Sequence, residues 1–247
     1  MQSGGEPQLL GDEGQLAVAE ALSAELYAVL HSMGLPEAVT YRAVMGFAGR
    51  REQDRLQDLL PAWLAAPDAT SPIPNATSAA VIFMTAITGD PDEAAKLLDA
   101  AAANRVEDVP DDAGWPVAIA MYAEVAARVG DRVSAALLVE ILVPFAEVGV
   151  DVCTGGIVHG PANRLVALLE AVLGHDEAAD RHFATALEDA GRLESPIWNA
   201  RCLLDWAERL LARGEVDRAA VLIEEADAAL GDLDLPALRR QLSELRA

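Results

Sequence analysis

The chain has 247 residues and a formal net charge of −22; 52% of the residues are apolar but only 4% aromatic. That charge repels phosphate backbones and argues against a nucleic-acid-binding surface. An apolar fraction dominated by alanine and leucine, with little β-branched alternation, points to an all-α protein whose helices approach closely. The acidity has two readings: solubility of an otherwise apolar chain, or an acidic face for a basic partner. Lys96 is the single lysine, which reads as genome composition. With only Cys153 and Cys202, a reduced, cytoplasmic setting is expected. Residues Met1–Gly5 carry no signal-peptide features. The uncharged stretch Ala69–Gly89 is broken by Pro72, Pro74 and Asn75, leaving too short a run to span a bilayer.

In chain order, residues 1–11 read as a flexible leader and 12–66 as N-terminal helices. The first helix runs from about Glu13 to Met33 and stops at Gly34; the second starts at Pro36 and reaches Ala48. Gly49 is expected to break it before a third helix over about 50–66. Residues 67–75 hold three prolines and read as a hinge or long loop. From 76 to 247 helices follow in pairs: 76–88 with 91–104, 116–129 with 132–147, 161–173 with 176–190, and 196–212 with 216–230. Pro236 opens a last, polar helix that caps the array. The longest irregular segment is the glycine-rich loop Gly149–Gly160.

Between the helices of each pair one turn recurs: Gly89-Asp90-Pro91-Asp92-Glu93-Ala94-Ala95, Gly130-Asp131-Arg132-Val133-Ser134-Ala135-Ala136, Gly214-Glu215-Val216-Asp217-Arg218-Ala219-Ala220, and Gly174-His175-Asp176-Glu177-Ala178-Ala179, which reads as one residue shorter. The glycine is expected to take the left-handed conformation that ends the first helix. The acid caps the second helix, and the two alanines face the partner helix. Gly-to-Gly steps of 41, 44 and 40 residues are the mark of a helical repeat. The expected architecture is an α-solenoid of antiparallel helix pairs, a tetratricopeptide-like right-handed superhelix.

The helix pairs resemble tetratricopeptide repeats with lengthened loops. Further segments carry a more specific resemblance over about residues 40–245: Pro110-Asp111-Asp112-Ala113-Gly114-Trp115, Leu142-Val143-Pro144-Phe145-Ala146, Cys153 to Pro161, Pro196-Ile197-Trp198 and Ala207-Glu208-Arg209-Leu210-Leu211-Ala212-Arg213-Gly214. These resemble the C-terminal helical-repeat region of actinobacterial predicted-ATPase regulators, which also carry cyclase or LuxR-type DNA-binding domains. The resemblance implies a sensing or partner-binding arm. It does not carry over the ATPase: a P-loop needs Gly-Lys-Ser/Thr, and Lys96 stands between Ala95 and Leu97. No cyclase domain and no basic recognition helix is evident. The chain reads as a fragment of such a regulator or a free-standing relative.

Candidate sites follow from the expected groove, which the first helix of each pair would line. Its polar positions are Glu124, Asn163, Arg164, Arg201, Asp205 and Glu208, suited to a protein or peptide partner. Cys153 and His159 share the glycine loop and could contact a ligand; with only Asp151 near, they make a poor metal set. His175 and His182 read as solvated or core-edge, and Glu224, Glu225 and Asp227 as a wet face. No catalytic residue, cofactor or metal is expected. Trp115, Trp198 and Trp206 read mainly as packing. The expected function is protein–protein interaction or regulatory sensing, with a small-molecule sensor using loop 149–160 as the alternative. Homodimerisation through terminal apolar surface is left open.

Overall fold

The computed structural model describes residues 13–34, 37–65, 75–103, 114–147, 151–154 and 157–247. The leader and most of the Pro-rich segment fall outside this set. Among the described residues the chain is all-helical apart from one hairpin. Helices α1 (Glu13–Ser32) and α2 (Glu37–Glu52) come first, then a 3₁₀ turn (Leu56–Asp58) and the short α3 (Leu60–Leu64). Four helix pairs follow: α4 (Ala76–Thr88) with α5 (Pro91–Ala103), α6 (Trp115–Val129) with α7 (Arg132–Glu147), α8 (Ala162–Leu173) with α9 (Asp176–Arg192), and α10 (Pro196–Ala212) with α11 (Val216–Leu230). Helix α12 (Pro236–Arg246) ends the fold. No described helix is long and apolar enough to cross a membrane.

The expected break at Gly49 does not occur. Helix α2 runs through Gly46 and Gly49 to Glu52, and the chain turns afterwards, where Asp54 takes φ 56°. A glycine inside a helix costs about 1 kcal/mol relative to alanine. Burial of Phe47 between Trp63 and Phe83, with ring centroids 6.3 and 5.5 Å away, offsets that cost. Asn75, at the end of the expected loop, caps α4 in a reciprocal capping box with Ser78.

The glycine-rich segment is not wholly irregular. Strands β1 (Asp151–Thr154) and β2 (Ile157–Pro161) pair antiparallel, with an irregularity between Val152 and Cys153. Gly160 needs to be glycine here. Its φ is +104°, and an added Cβ would sit 2.7 Å from two ring carbons of Trp198. Gly160→Ala is therefore expected to lower stability by about 1–3 kcal/mol. It should also shift tryptophan emission; unchanged melting and emission would refute this contact.

The recurring turn is sharper than its sequence suggests. Gly130, Gly174 and Gly214 are left-handed (φ 72°, 81° and 78°), but Gly89 has φ −127°. Asp90 accepts the Asp92 amide, and Asp131 accepts those of Val133 and Ser134; Glu215 and His175 make no such side-chain cap. Only one alanine per copy is buried: Ala94, Ala135, Ala179 and Ala219. Each lies five residues after its glycine, so the fourth copy has lost nothing. The other alanines, Ala95, Ala136, Ala178 and Ala220, are half-buried or exposed.

Apolar packing forms two large clusters. One joins Phe47, Phe83, Met84, Tyr122, Leu138, Leu142 and Leu169 across α2 to α8. The other joins Leu204, Ile223, Leu230, Leu238 and Leu242 across α10 to α12. Helices α4, α6, α8 and α10 lie side by side in that order, and α12 returns from α10 to touch α2. The two ends of the fold thus meet over the row of first helices.

Candidate functional site: a polar cavity

Under that closure lies a cavity of about 430 Å³, lined by α2, α4, α6, α8, α10 and α12. Its floor is a buried chain of ion pairs. Glu124 on α6 accepts from Arg51 on α2 at 2.6 and 3.1 Å and from Arg164 on α8 at 3.3 Å. Nε of Arg164 donates to Asp205 on α10 at 2.7 Å, and Gln241 on α12 donates to the other Asp205 oxygen at 3.2 Å. Nη2 of Arg201 donates to both oxygens of Glu52 at 2.7 and 2.8 Å. At the rim Arg240 bonds Asp54 at 2.8 and 3.0 Å. Residues from the first and last thirds of the chain therefore hold one another.

The sequence places these charges on apolar helices, where one face must be polar. Arg201, Asp205 and Glu208 lie four and three residues apart, on one side of α10. Trp198 precedes them on the same side, and its ring lies 5.5 to 6.0 Å from the guanidinium carbons of Arg201, Arg164 and Arg51. Arg51 also covers Phe83 at 5.1 Å. Planar guanidinium groups tolerate burial against aromatic faces while pairing with carboxylates.

The electrostatics follow from this packing. Burial pushes Glu124 up, but Arg164 and Arg51 outweigh it and hold the carboxyl well below its usual range. Burial lowers Arg164, but Asp205 and Glu124 more than restore it, so its pKa rises. Arg201 falls, through burial first and then the charges of Arg51 and Arg164, against the pull of Glu52. His159 descends from the hairpin toward this cluster. Burial first, then Arg51, lowers it to about 4, and its Nε2 has no hydrogen-bond partner. Burial pushes the Cys202 thiol up to about 12, which removes it as a nucleophile near neutral pH.

Five of the six expected groove positions line the cavity: Glu124, Arg164, Arg201, Asp205 and Glu208. Asn163 does not. Neighbours on a helix point about 100° apart, so beside Arg164 it faces the α7–α9 side. There its amide donates to Ala146 O at 3.0 Å and Asp189 at 2.9 Å, and its oxygen meets His182 Nδ1 at 2.9 Å. His175 pairs with Glu170 on the surface. His159 is buried beside the cluster; Cys153 lies in β1, and its side chain is outside the described set. Arg51, Glu52, Asp54, Arg128, Arg209 and Arg240 were not expected here. The run Arg50-Arg51-Glu52 closing an otherwise apolar helix was the available signal. Among the described residues no group of three or more His, Cys, Asp or Glu side chains could hold a metal ion.

Compared with known proteins, the chain matches no family model, no curated protein and no solved structure.

Proposed function

We propose that the chain is a non-catalytic sensing module of a bacterial signalling or transcription-control system, acting in the cytoplasm. In this reading the helix pairs form a tetratricopeptide-like right-handed solenoid, as in the sensing arm of the predicted-ATPase regulators it resembles. A small polar effector occupies the concave cavity. One observation carries the reading: α2 and α12 touch across the row of first helices and with it line a half-open cavity of about 430 Å³, within the size range of small-molecule sites. The α12–α2 contact narrows the groove that a long partner helix would need. The effector site thus moves from the glycine-rich hairpin to the cavity beside it.

A protein partner has a separate place. On α1 and the turn after it, Leu22, Leu26, Val29 and Met33 repeat at helical spacing and are 39–67% exposed, forming an apolar stripe suited to a partner helix.

Ala237 on α12 lines the cavity and is half-buried, so Ala237→Trp fills the space from a tolerant position. Native mass spectrometry of the whole chain with pooled polar metabolites should reveal a bound molecule that this variant loses. If every bound molecule were retained by Ala237→Trp, the cavity reading would fail.

A further inference from the structure

Most described arginines pair with a carboxylate; Arg132, held by the Val172 and Leu173 carbonyls, and the surface Arg181 do not. Arg213 pairs with Asp180 at 2.9 Å, Arg239 with Asp227 at 3.0 Å and Arg246 with Glu224 at 2.8 Å, besides the buried pairs above. Two more arginines without a carboxylate partner line the cavity. Arg128 on α6 donates from Nε to Ala86 O at 2.8 Å. Arg209 on α10 donates from Nη2 to Ala127 O at 3.4 Å. Neither has a carboxylate within ion-pair distance among the described residues. Shortage does not explain this, because acids outnumber bases 40 to 18.

The two converge on one end of the cavity. Ala86 lies in the last turn of α4 and Ala127 in the last turn of α6, immediately before Arg128. Each guanidinium has five N–H donors, so one bond apiece leaves most unused. Nε of Arg209 is buried without a partner, as is Nε of Arg201. Arg201, only 7% exposed, lines the same space. Buried donors left unpaired cost stability, and an anion arriving from solvent would satisfy them with paired hydrogen bonds. Against this stands Glu208, which also lines the cavity, is exposed and pairs with no arginine. Together with Asp54 and Glu244 it disfavours a polyanion.

We propose that the cavity binds a small organic anion, with a single carboxylate or phosphate group held by Arg128 and Arg209 and the remainder extending toward Gln241 and Glu208. This rests on the cavity being the effector site and adds the class of effector it takes. Lining by the polar side chains of α10 and α12 fits a ligand body that carries hydroxyl or amino groups.

The test is calorimetric titration of the full chain with inorganic phosphate, glycerol 3-phosphate and glycerate. Saturable binding of at least one probe is expected, weakened tenfold or more in Arg128→Gln/Arg209→Gln and by added salt. The surface variant Arg218→Gln should bind as the wild type does. Preference for glycerol 3-phosphate over glycerate, or the reverse, identifies the anionic group; binding of inorganic phosphate alone with equal strength would show that the organic body contributes nothing and overturn the organic part. Should the double variant fail to fold, Arg209→Lys keeps the charge but loses the forked donors, and is expected to weaken binding severalfold. No binding of any probe, or binding indifferent to these substitutions, overturns the proposal. A cationic or neutral molecule that is lost in Ala237→Trp but kept in Arg128→Gln/Arg209→Gln would overturn the anion class and leave the cavity reading standing.

Discussion

Glu124→Ala is expected to cost about 3–5 kcal/mol of unfolding free energy, the range for removing one partner of a buried ion pair. For a chain of this size that lowers the melting temperature by about 6–20 °C. The carboxylate is shared by two guanidinium groups, and their fates differ. Arg164 keeps Asp205 at 2.7 Å. Arg51 keeps no carboxylate in this cluster, only the faces of Phe83 and Trp198, which replace a small part of the lost attraction. The loss should therefore fall mainly on Arg51. A double-mutant cycle isolates it: Arg51→Met/Glu124→Leu should be far less damaging than the sum of its single changes, because a packed apolar pair removes the stranded charge. Denaturant melts giving less than about 1 kcal/mol for Glu124→Ala would show that the cluster is wetter and weaker than its geometry implies.

The same carboxyl sets part of the acid response. Its folded pKa lies below the ordinary 4.5, so its contribution is fully present above about that pH and is lost as pH falls toward the folded value. The size of the cluster also bears on specificity. Three guanidinium groups around one indole come from helices α2, α8 and α10, so these helices must be in register for all three to be satisfied.

How far this arrangement could be read from the residues depends on the distance over which they interact. Helix limits were legible because their signals are local: Asp90 and Asp131 cap, prolines 116, 196 and 236 open helices, and left-handed Gly130, Gly174 and Gly214 close them. Gly49 misled because tertiary burial of Phe47 outweighs the local preference of one glycine. Glu124, Arg164, Arg201, Asp205 and Glu208 were legible as polar positions on the first helices of pairs. Asn163 shows the limit, since one residue's rotation turns it away from the cavity toward α7 and α9. The pairs Glu52–Arg201 and Asp54–Arg240 join residues 149 and 186 positions apart, and no periodicity predicts them. They bridge one side of the expected groove and bound a half-open cavity.

His159 makes the hairpin part of the pH response. Its ordinary pKa of 6.5 is lowered to about 4 by burial and by Arg51. As pH falls from about 6.5, the unfolded chain takes up a proton that the native chain refuses until about 4. Stability therefore decreases across that window, by about 3 kcal/mol in all. His159→Leu should remove this loss: it fills the same buried site, 6% exposed, and strands no polar atom, whereas the imidazole already leaves Nε2 unpartnered. Denaturant melts at steps from pH 7.5 to 4.5 should show the variant falling behind or matching the wild type at neutral pH and overtaking it by about 2–3 kcal/mol near pH 4.5. Glu124 is the same in both proteins, so the difference between them isolates the histidine. Parallel pH profiles would mean that the native imidazole protonates freely, and so that the hairpin does not hold it against the Arg51 cluster.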